Sequence, residues 1–406
     1  MFFEAIWIAL DAIWANKLRS LLTVLGNIVA VTSIIAVVSL IQGMNTKVTD
    51  VIVSEAGADA FLIERVGLIF DEDEAEKARR NNPRVTMEDA EAVLKFSPRI
   101  QAIMARSQRQ GEIRYRDKIL ERAAVQGVSE DYLWFGNYDA ERGRLITRTE
   151  IRRRRPVTVL GWGTADRLFG EENPLDKNIK IVGVHFRVVG VSEKKGTVFG
   201  QSQDEFALVP LGVFQKLFGS RMSLDLMVKP RTPEMLDQAM EDATVALRIH
   251  RRLKPKDRDN FGILTSGTLI ELWRSATSGI FTVLVGVVAL SLVVGGIVIM
   301  NIMLMIVTER TREIGLRKAL GARRKDIVWQ VLMESITLST TGGIVGTALG
   351  FVVALTIERL TPVPADVQAW SIALGILMTA AVGLFFGMYP AMQAARLDPI
   401  EALRRE

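Results

Sequence analysis

The chain has 406 residues, of which 49% are hydrophobic and 24% charged, with a formal net charge of +5. These averages hide a segregation that excludes a purely soluble protein: residues 20–46, 275–308, 335–357 and 367–395 contain no Asp, Glu, Lys or Arg, whereas 47–274 is richly charged. Each charge-free block is long enough to cross the ~30 Å hydrocarbon layer as a helix, the large insert excludes a plain helix bundle, and the absence of cysteine excludes disulfide staples, thiol catalysis and Cys-based zinc sites.

At the N-terminus, Phe2, Phe3, Ile6, Trp7, Leu10, Ile13 and Trp14 recur at helical spacing. Residues 1–19 are therefore expected to form an amphipathic helix at the cytoplasmic interface, with its aromatics at headgroup depth or packed on the bundle. Met1-Phe2-Phe3-Glu4 lacks a basic leader region, so the first apolar block is expected to be a permanent anchor. Within it, Gly26 and Ala30 form a small-xxx-small pair suited to close helix approach.

The insert 47–274 reads as α+β. The charge run Asp71 to Lys77 is expected to be a solvated helix or loop. Thr86, followed by Glu88 and Asp89, reads as a capped helix start, and Thr232-Pro233-Glu234 as a second whose helix extends to about Arg252. Strands are expected at 119–126, 157–160, 206–209 and 224–228, with a hairpin turning at Gly183 between Ile179 and Val189. Two lobes are predicted, a strand-rich one at about 128–220 and one formed by the flanking parts pairing with each other.

The second block is long. Ile280 to Val307 alone would make about 42 Å of helix. It must tilt or continue as a stalk, and no Gly or Pro interrupts Glu309-Arg310-Thr311-Arg312-Glu313, so continuation on that side is expected. The loop 309–326 is strongly basic. A third span, 327–357, contains Glu334, which is either a carboxylate snorkelling to the headgroups or a contact to the loop or a neighbouring helix. The same span carries Gly342, Gly343, Gly346 and Gly350 at spacings of three and four, for packing within one subunit or between two. A short loop, 358–366, precedes the fourth span at 367–395 and a tail at 396–406.

Twelve basic residues flank the spans on one side, including Lys17, Arg19, Arg310, Arg317, Arg396 and Arg404, while the short loop 358–366 has only Arg359. This places both termini in the cytoplasm and the insert outside, because long domains translocate largely regardless of their charge. The fold class is thus an α-helical membrane protein with four transmembrane helices and a large two-lobed α+β extracytoplasmic domain between helices 1 and 2.

The sequence lacks a phosphate-binding G-x-x-x-x-G-K-[ST] loop and an H-E-x-x-H motif. Its two histidines, His185 at the expected hairpin turn and His250 beside Arg251, have no partner at metal-ligand spacing and read as surface or structural residues. With Glu334 the only ionisable residue inside a span, a charged pathway of the kind carriers use is missing.

Three stretches resemble the MacB-like branch of the MacB/FtsX superfamily of ABC transporter permeases. They are Asn16 to Gly26, Thr308 to Ala322, and Gly387-Met388-Tyr389-Pro390-Ala391 with Ala394 to Arg404. Gly127-Val128, Gly143-Arg144, Leu168-Phe169-Gly170 and Lys195-Gly196 are similar, in order, to that family's periplasmic core domain. The resemblance implies a permease of the bacterial inner membrane and not an enzyme, with no cofactor on this chain and with ATP and Mg on a separate ABC ATPase subunit. It further implies a second permease copy, a periplasmic membrane-fusion adaptor, contact with membrane lipid, and no nucleic acid.

On that resemblance, ATP hydrolysis inside would drive a conformational change outside. Glu309, Arg310, Arg312, Glu313, Gly315, Arg317, Lys318, Gly321, Ala322 and Arg323 would couple to the ATPase, with Gly315 and Gly321 interrupting the helix and Asp398 to Leu403 packing beside the loop or simply ending the chain. The expected function is efflux of drugs, peptides or envelope substrates. The alternatives are lipoprotein release and a regulatory scaffold that activates a cell-wall hydrolase or sensor.

Overall fold

The computed structural model describes residues 17–404 apart from 58, 70, 136–137, 199–200 and 362, and the chain divides into two compact units. One is formed by residues 48–273, the other by 1–47 with 274–406. The aromatic stretch Phe2 to Trp14 and Arg405 lie outside the described residues. Helix α1 (Lys17–Ala56) is the first element among the described residues and continues ten residues past Thr46.

In the unit 48–273, β1 (Phe61–Glu64), α2 (Glu72–Asn81), α3 (Met87–Phe96), β2 (Ile100–Tyr115), β3 (Lys118–Val128) and β4 (Ala140–Gly143) come first. Then follow α4 (Arg148–Arg152), β5 (Val157–Leu160), α5 (Trp162–Phe169), β6 (Asn178–Ile181) and β7 (Val184–Ser192). The unit closes with β8 (Thr197–Val198), β9 (Gln201–Ser202), β10 (Phe206–Pro210), α6 (Leu211–Phe218), β11 (Asp225–Pro230), α7 (Leu236–His250) and β12 (Gly262–Thr265).

The strands other than the β8–β9 pair form one ten-stranded sheet in the order β12-β1-β11-β2-β3-β10-β5-β7-β4, with β6 joining β2 to β7. The flanking parts do pair across the insertion, since β1 lies between β11 and β12. The two lobes are built on this one sheet. Alternation along the strands sends Ile103, Ala105, Leu226, Val228 and Val209 into one core, shared with α3, α5, α6 and α7. It sends Ala102, Met104, Met227, Phe206 and Leu208 into another, closed by Tyr132, Phe135 and α4. The middle region 128–220 contains α4, α5 and α6 as well as strands.

Local chemistry fixes these elements. Thr86 caps α3 in a reciprocal box with Asp89, and Thr147 caps α4 with Glu150. The run from Asp71 becomes α2, capped by the Asp71 carboxylate and with no buried residue, as a solvated helix should be. The β6–β7 hairpin turns at Val182 (φ 48°) and Gly183 (φ 80°), so both central residues are left-handed, as a type I′ turn requires. His185 is the second residue of β7, one step past the turn where it was expected, and is exposed. The helix begun at Thr232-Pro233 starts as a 3-10 turn and continues as α7 to His250.

The membrane unit contains the spanning part of α1, then α8 (Ser266–Glu309), α9 (Thr311–Ala319), α10 (Arg324–Leu360), α11 (Ala369–Arg396) and α12 (Pro399–Arg404). Four of these, α1, α8, α10 and α11, are long and apolar enough to cross a membrane. At 44 residues α8 is about 66 Å long. Its extra length lies at the end that begins at Ser266. At the other end it stops at Glu309, where the expected stalk is broken: Arg310 leaves the helical conformation (φ −93°, ψ 15°) and caps α9. Its guanidinium bonds Glu334, and this tie to α10 accompanies the break.

The spans pack through small residues. A Cβ on Gly26 of α1 would stand 3.1 Å from Gly295 Cα of α8, and one on Gly343 of α10 would stand 2.3 Å from Thr379 Oγ1 of α11. Gly346 and Gly350 face Ile28, Val31 and Ile35 of α1, and Gly342 is buried as well. All five glycines stand at helix contacts or are buried within the chain. Hydrogen bonds reinforce the seam: Asn27 Nδ2 donates to Ser339 O and Oγ, and Thr32 Oγ1 donates to Gly346 O.

Candidate functional site: the inner end of the membrane unit

The segment singled out for coupling folds as a compact corner of α9, α12 and the adjoining ends of α8, α10 and α11. Gly315 does not break the helix. It lies inside α9, buried, where a Cβ would come within 2.6 Å of Ala402 Cβ on α12. Glycine is needed there for the close approach of two helices. Gly321 does terminate the segment: its φ of 97° is the left-handed turn that ends α9, and the preceding carbonyls of Arg317 and Lys318 accept from Ala322 and Gly321. Asp398 to Leu403 packs on α9, with Ala402 only 2% exposed, which decides between packing and merely ending the chain.

The charged residues divide into two groups. Some hold the corner together. Arg310 Nη1 lies 3.4 Å from Glu334 Oε1, and the Glu334 side chain is only 13% exposed. Glu334 thus makes a contact between the α8–α9 junction and α10, largely buried from the surface of the chain. Arg317 pairs with Glu313 one turn earlier on α9. Lys318 Nζ donates to the carbonyl oxygens of Ala395 and Leu397, the unsatisfied acceptors at the end of α11.

Others face outward. Arg312, Arg323 and Arg324 are exposed, as is Glu313 despite its pair with Arg317, and Ala322 is half-buried. Leu316, Leu320 and Ile400 are 52%, 81% and 77% exposed. The corner therefore presents apolar side chains interleaved with arginines, a composition suited to a protein partner. Glu309 closes α8 at the same level. A cavity of about 20 Å³ between α8, α9 and α10, lined by Met303, Val307, Arg310, Arg317 and Glu334, has room for about one water and none for a nucleotide.

Sequence reading missed the hydroxyl and amide groups that join the spans, those of Asn27, Thr32 and Ser339, the last donating to the Thr379 carbonyl. The signal available was polar residues at helical spacing in otherwise charge-free blocks. It also missed the buried pair of Asp89 and Arg251, whose guanidinium donates through Nε and Nη2 at 3.0 and 2.8 Å. Among the described residues no cluster of His, Cys, Asp and Glu could hold a metal ion. His250 ends α7, 3.9 Å from Asp89, and His185 stays on the surface.

Comparison with known proteins agrees with this architecture. Residues 20–246 match the MacB-like periplasmic core domain, and residues 285–399 match the FtsX-like permease C-terminal domain. A macrolide export ATP-binding/permease protein MacB from Bdellovibrio bacteriovorus is 35% identical over 97% of this chain and 60% of its own length. Another from Chlorobaculum tepidum is 36% identical over 98% of this chain and 61% of its own. The chain thus spans about three fifths of these relatives. The crystal structure of the periplasmic region of MacB from Actinobacillus actinomycetemcomitans aligns with 55% of the chain and 95% of its own length at 21% identity and a TM-score of 0.45. The chain belongs to the MacB-like, FtsX-like family of ABC transporter permeases, multi-pass proteins of the inner membrane with a large periplasmic domain.

Proposed function

We propose that this chain is the permease of a MacB-type ABC transporter that couples ATP hydrolysis on a separate cytoplasmic subunit to conformational change in its periplasmic domain. This is mechanotransmission, serving efflux of drugs, peptides or other envelope substrates. The observation that carries the reading is the outward face of α9 and α12, where Leu316, Leu320 and Ile400 stand exposed among Arg312, Arg323 and Arg324. An apolar surface of this kind on the cytoplasmic side fits a groove on an ATPase. The ion pairs and carbonyl bonds behind it tie α9 to α10 and α11, so force applied to α9 reaches the spans.

ATP and Mg would be bound by the ATPase, because no phosphate-binding loop occurs in these residues. A second permease copy and a periplasmic adaptor would complete the working unit, as the MacB-like family implies. The test is co-purification with the ABC ATPase produced by the same cell. Leu316→Asp with Leu320→Asp should release the ATPase and abolish transport-coupled hydrolysis while leaving the periplasmic domain folded. Retention of the ATPase and of coupling in that variant would remove the assignment, as would ATP hydrolysis by the purified chain alone.

A further inference from the structure

Four buried polar side-chain atoms of α1 and α10 have no hydrogen-bond partner, Asn27 Oδ1 and Ser39 Oγ on α1 and Ser335 Oγ and Thr347 Oγ1 on α10, and two of them lie one turn out of register with each other. Asn27 of α1 gives its amide protons to Ser339 and leaves Oδ1 unbonded; Ser335, one turn earlier than Ser339 on α10, leaves Oγ unbonded. Both residues are fully buried. Ser339 is already saturated, since its hydroxyl accepts from Asn27 and donates to Thr379 O. Unpaired buried hydroxyls and amides are rare and call for a reason.

The packing around α1 repeats with the same four-residue step. Ile28 and Val31 lie over Gly346, where an added Cβ would come within 2.8 Å of Ile28 O and 3.0 Å of Val31 Cβ. Ile35 lies over Gly350 at 2.8 Å on the same measure. Gly342, the next position towards the cytoplasm, is also glycine and buried. On the α8 side Gly26 meets Gly295, and four residues beyond Gly26 stands Ala30. Against α11, α1 rides over Gly375.

We propose that α1 has two hydrogen-bonded registers on α10, one helical turn apart, and that this structure holds one of them. A slide of α1 by one turn, about 5.4 Å, towards the cytoplasmic end brings Asn27 to Ser335. The Ser335 hydroxyl then donates to Asn27 Oδ1, and the two unbonded groups satisfy each other. Thr32, which now bonds Gly346 O at 3.0 Å, moves to Gly342 O. Ile35 moves over Gly346, and Ala30 takes the place of Gly26 opposite Gly295.

Gly, Ala or Ser thus occupies each of these contact positions in the second register. A slide the other way brings Asn27 to Gly343, which offers no side chain to bond. The inward step also breaks the bond from Asp366 N to Ser39 O at 2.9 Å and replaces Gly43 by Lys47 against Pro364 and Ala365, so the loop before α11 has to move away from α1. In lipid, helices are held by packing and hydrogen bonds and not by a hydrophobic difference between registers, so two such arrangements can lie close in free energy. One-turn ratchets of one packed helix past another are a known form of switching. Because α1 continues unbroken to Ala56, the step is carried along its whole length.

The chain has no cysteine, so introduced ones report alone. Asn27→Cys, Ser335→Cys and Ser339→Cys are combined in the full chain, oxidised in native membranes, and the disulfides mapped by mass spectrometry. A disulfide needs Cα atoms within about 7 Å, so a thiol at position 27 reaches one partner in each register. Both the 27–335 and 27–339 links are expected; the 27–339 link alone, under every condition, overturns the proposal. The double variants Asn27→Cys with Ser335→Cys and Asn27→Cys with Ser339→Cys give the same reading should the triple variant fold poorly.

The use of the step rests on the permease reading. With the ATPase present, a ratio of links that changes between nucleotide-free and ATP-trapped membranes ties the step to ATP. A constant mixture keeps both registers and counts against ATP as their driver.

Discussion

In the periplasmic unit, the carboxylate of Asp89 and the guanidinium of Arg251 are both buried and meet in a two-point bond, with Arg251 also donating to Asn260. In the membrane unit the buried polar groups are amides and hydroxyls, and the tightest contacts are glycine backbones against neighbouring helices. The difference follows from the solvent on the far side. A domain in water gains by burying apolar area from a sheet, and can bury a charge if it is paired. Spans in lipid gain nothing from burying one apolar side chain rather than another, so they hold together by close approach and by hydrogen bonds that lipid cannot supply. The large residues of the membrane unit accordingly point outward: Val283, Leu290, Leu377 and Phe385 are 66%, 65%, 67% and 75% exposed.

The largest effect should come from removing the buried charge partner in the periplasmic unit. Asp89→Ala leaves the Arg251 guanidinium buried and unpaired and also removes the capping box at Thr86. Breaking such a pair costs about 3–5 kcal/mol. Hydrogen exchange of the full chain in detergent should show lost protection in α3 and α7, with the spans unchanged. Equal loss in both units would mean that the two do not follow separate rules.

Next in size is the converse substitution in the membrane unit. Gly346→Leu forces a side chain against the Ile28 carbonyl, which an added Cβ would already approach to 2.8 Å. Overpacking of this sort costs about 1–3 kcal/mol. Resistance to unfolding by a denaturing detergent should fall while the exchange pattern of the periplasmic sheet stays the same. Lys318→Met is expected to be milder, about 1 kcal/mol, because it removes two bonds to carbonyls that water can partly satisfy at the membrane surface. Its signature is faster exchange at the end of α11.

The spans, their orientation and six of the twelve strands are legible in the sequence because charge segregation and period-two patterning are direct consequences of solvent. Strand β5 falls on the residues expected, and β10 and the hairpin at Gly183 within a residue or two. Strand β2, the longest at 16 residues, was not legible: Gln108, Arg109, Gln110, Glu112 and Arg114 make its second half polar, and only pairing with β3 and β6 supports it there. At the corner of α9 and α12 the sequence singles out the segment but not the contacts each residue makes. Gly315 reads as a helix breaker in one dimension and becomes a contact point only when Ala402, 87 residues away, is folded against it. Arg310 and Lys318 read only as coupling residues for the same reason, since the groups they bond lie on α10 and at the end of α11.

The smallest effect tests the comparison within the periplasmic unit itself, where one carboxylate is paired and another is not. Glu150 accepts two bonds from Arg144, which with the Thr147 cap holds its carboxyl down at about 2. Glu64 of β1 is partly buried beside Asp225, its neighbour across the β1–β11 pair, and burial, then the nearby carboxylate, push it up to about 7. Arg106 on β2 stands opposite Asp225 and partly offsets the burial that raises that carboxyl too. The signs are opposite. A lowered carboxyl stabilises above its unfolded value of 4.5 and loses that as pH falls towards about 2. A raised one takes its proton more readily when folded, so its contribution is complete below 4.5 and is lost as pH rises through about 7. Melting curves of the full chain should therefore decline between about pH 5 and pH 8, and Glu64→Gln should flatten that decline and raise the melting temperature at the alkaline end. Glu150→Gln should lower the melting temperature by a constant amount across this window, leave its slope unchanged, and converge on the parent only as pH falls towards about 2. If Glu64→Gln melts below the parent at about pH 8, the charged form of Glu64 has a partner that stabilises it, and both polar sites of the unit obey the paired rule.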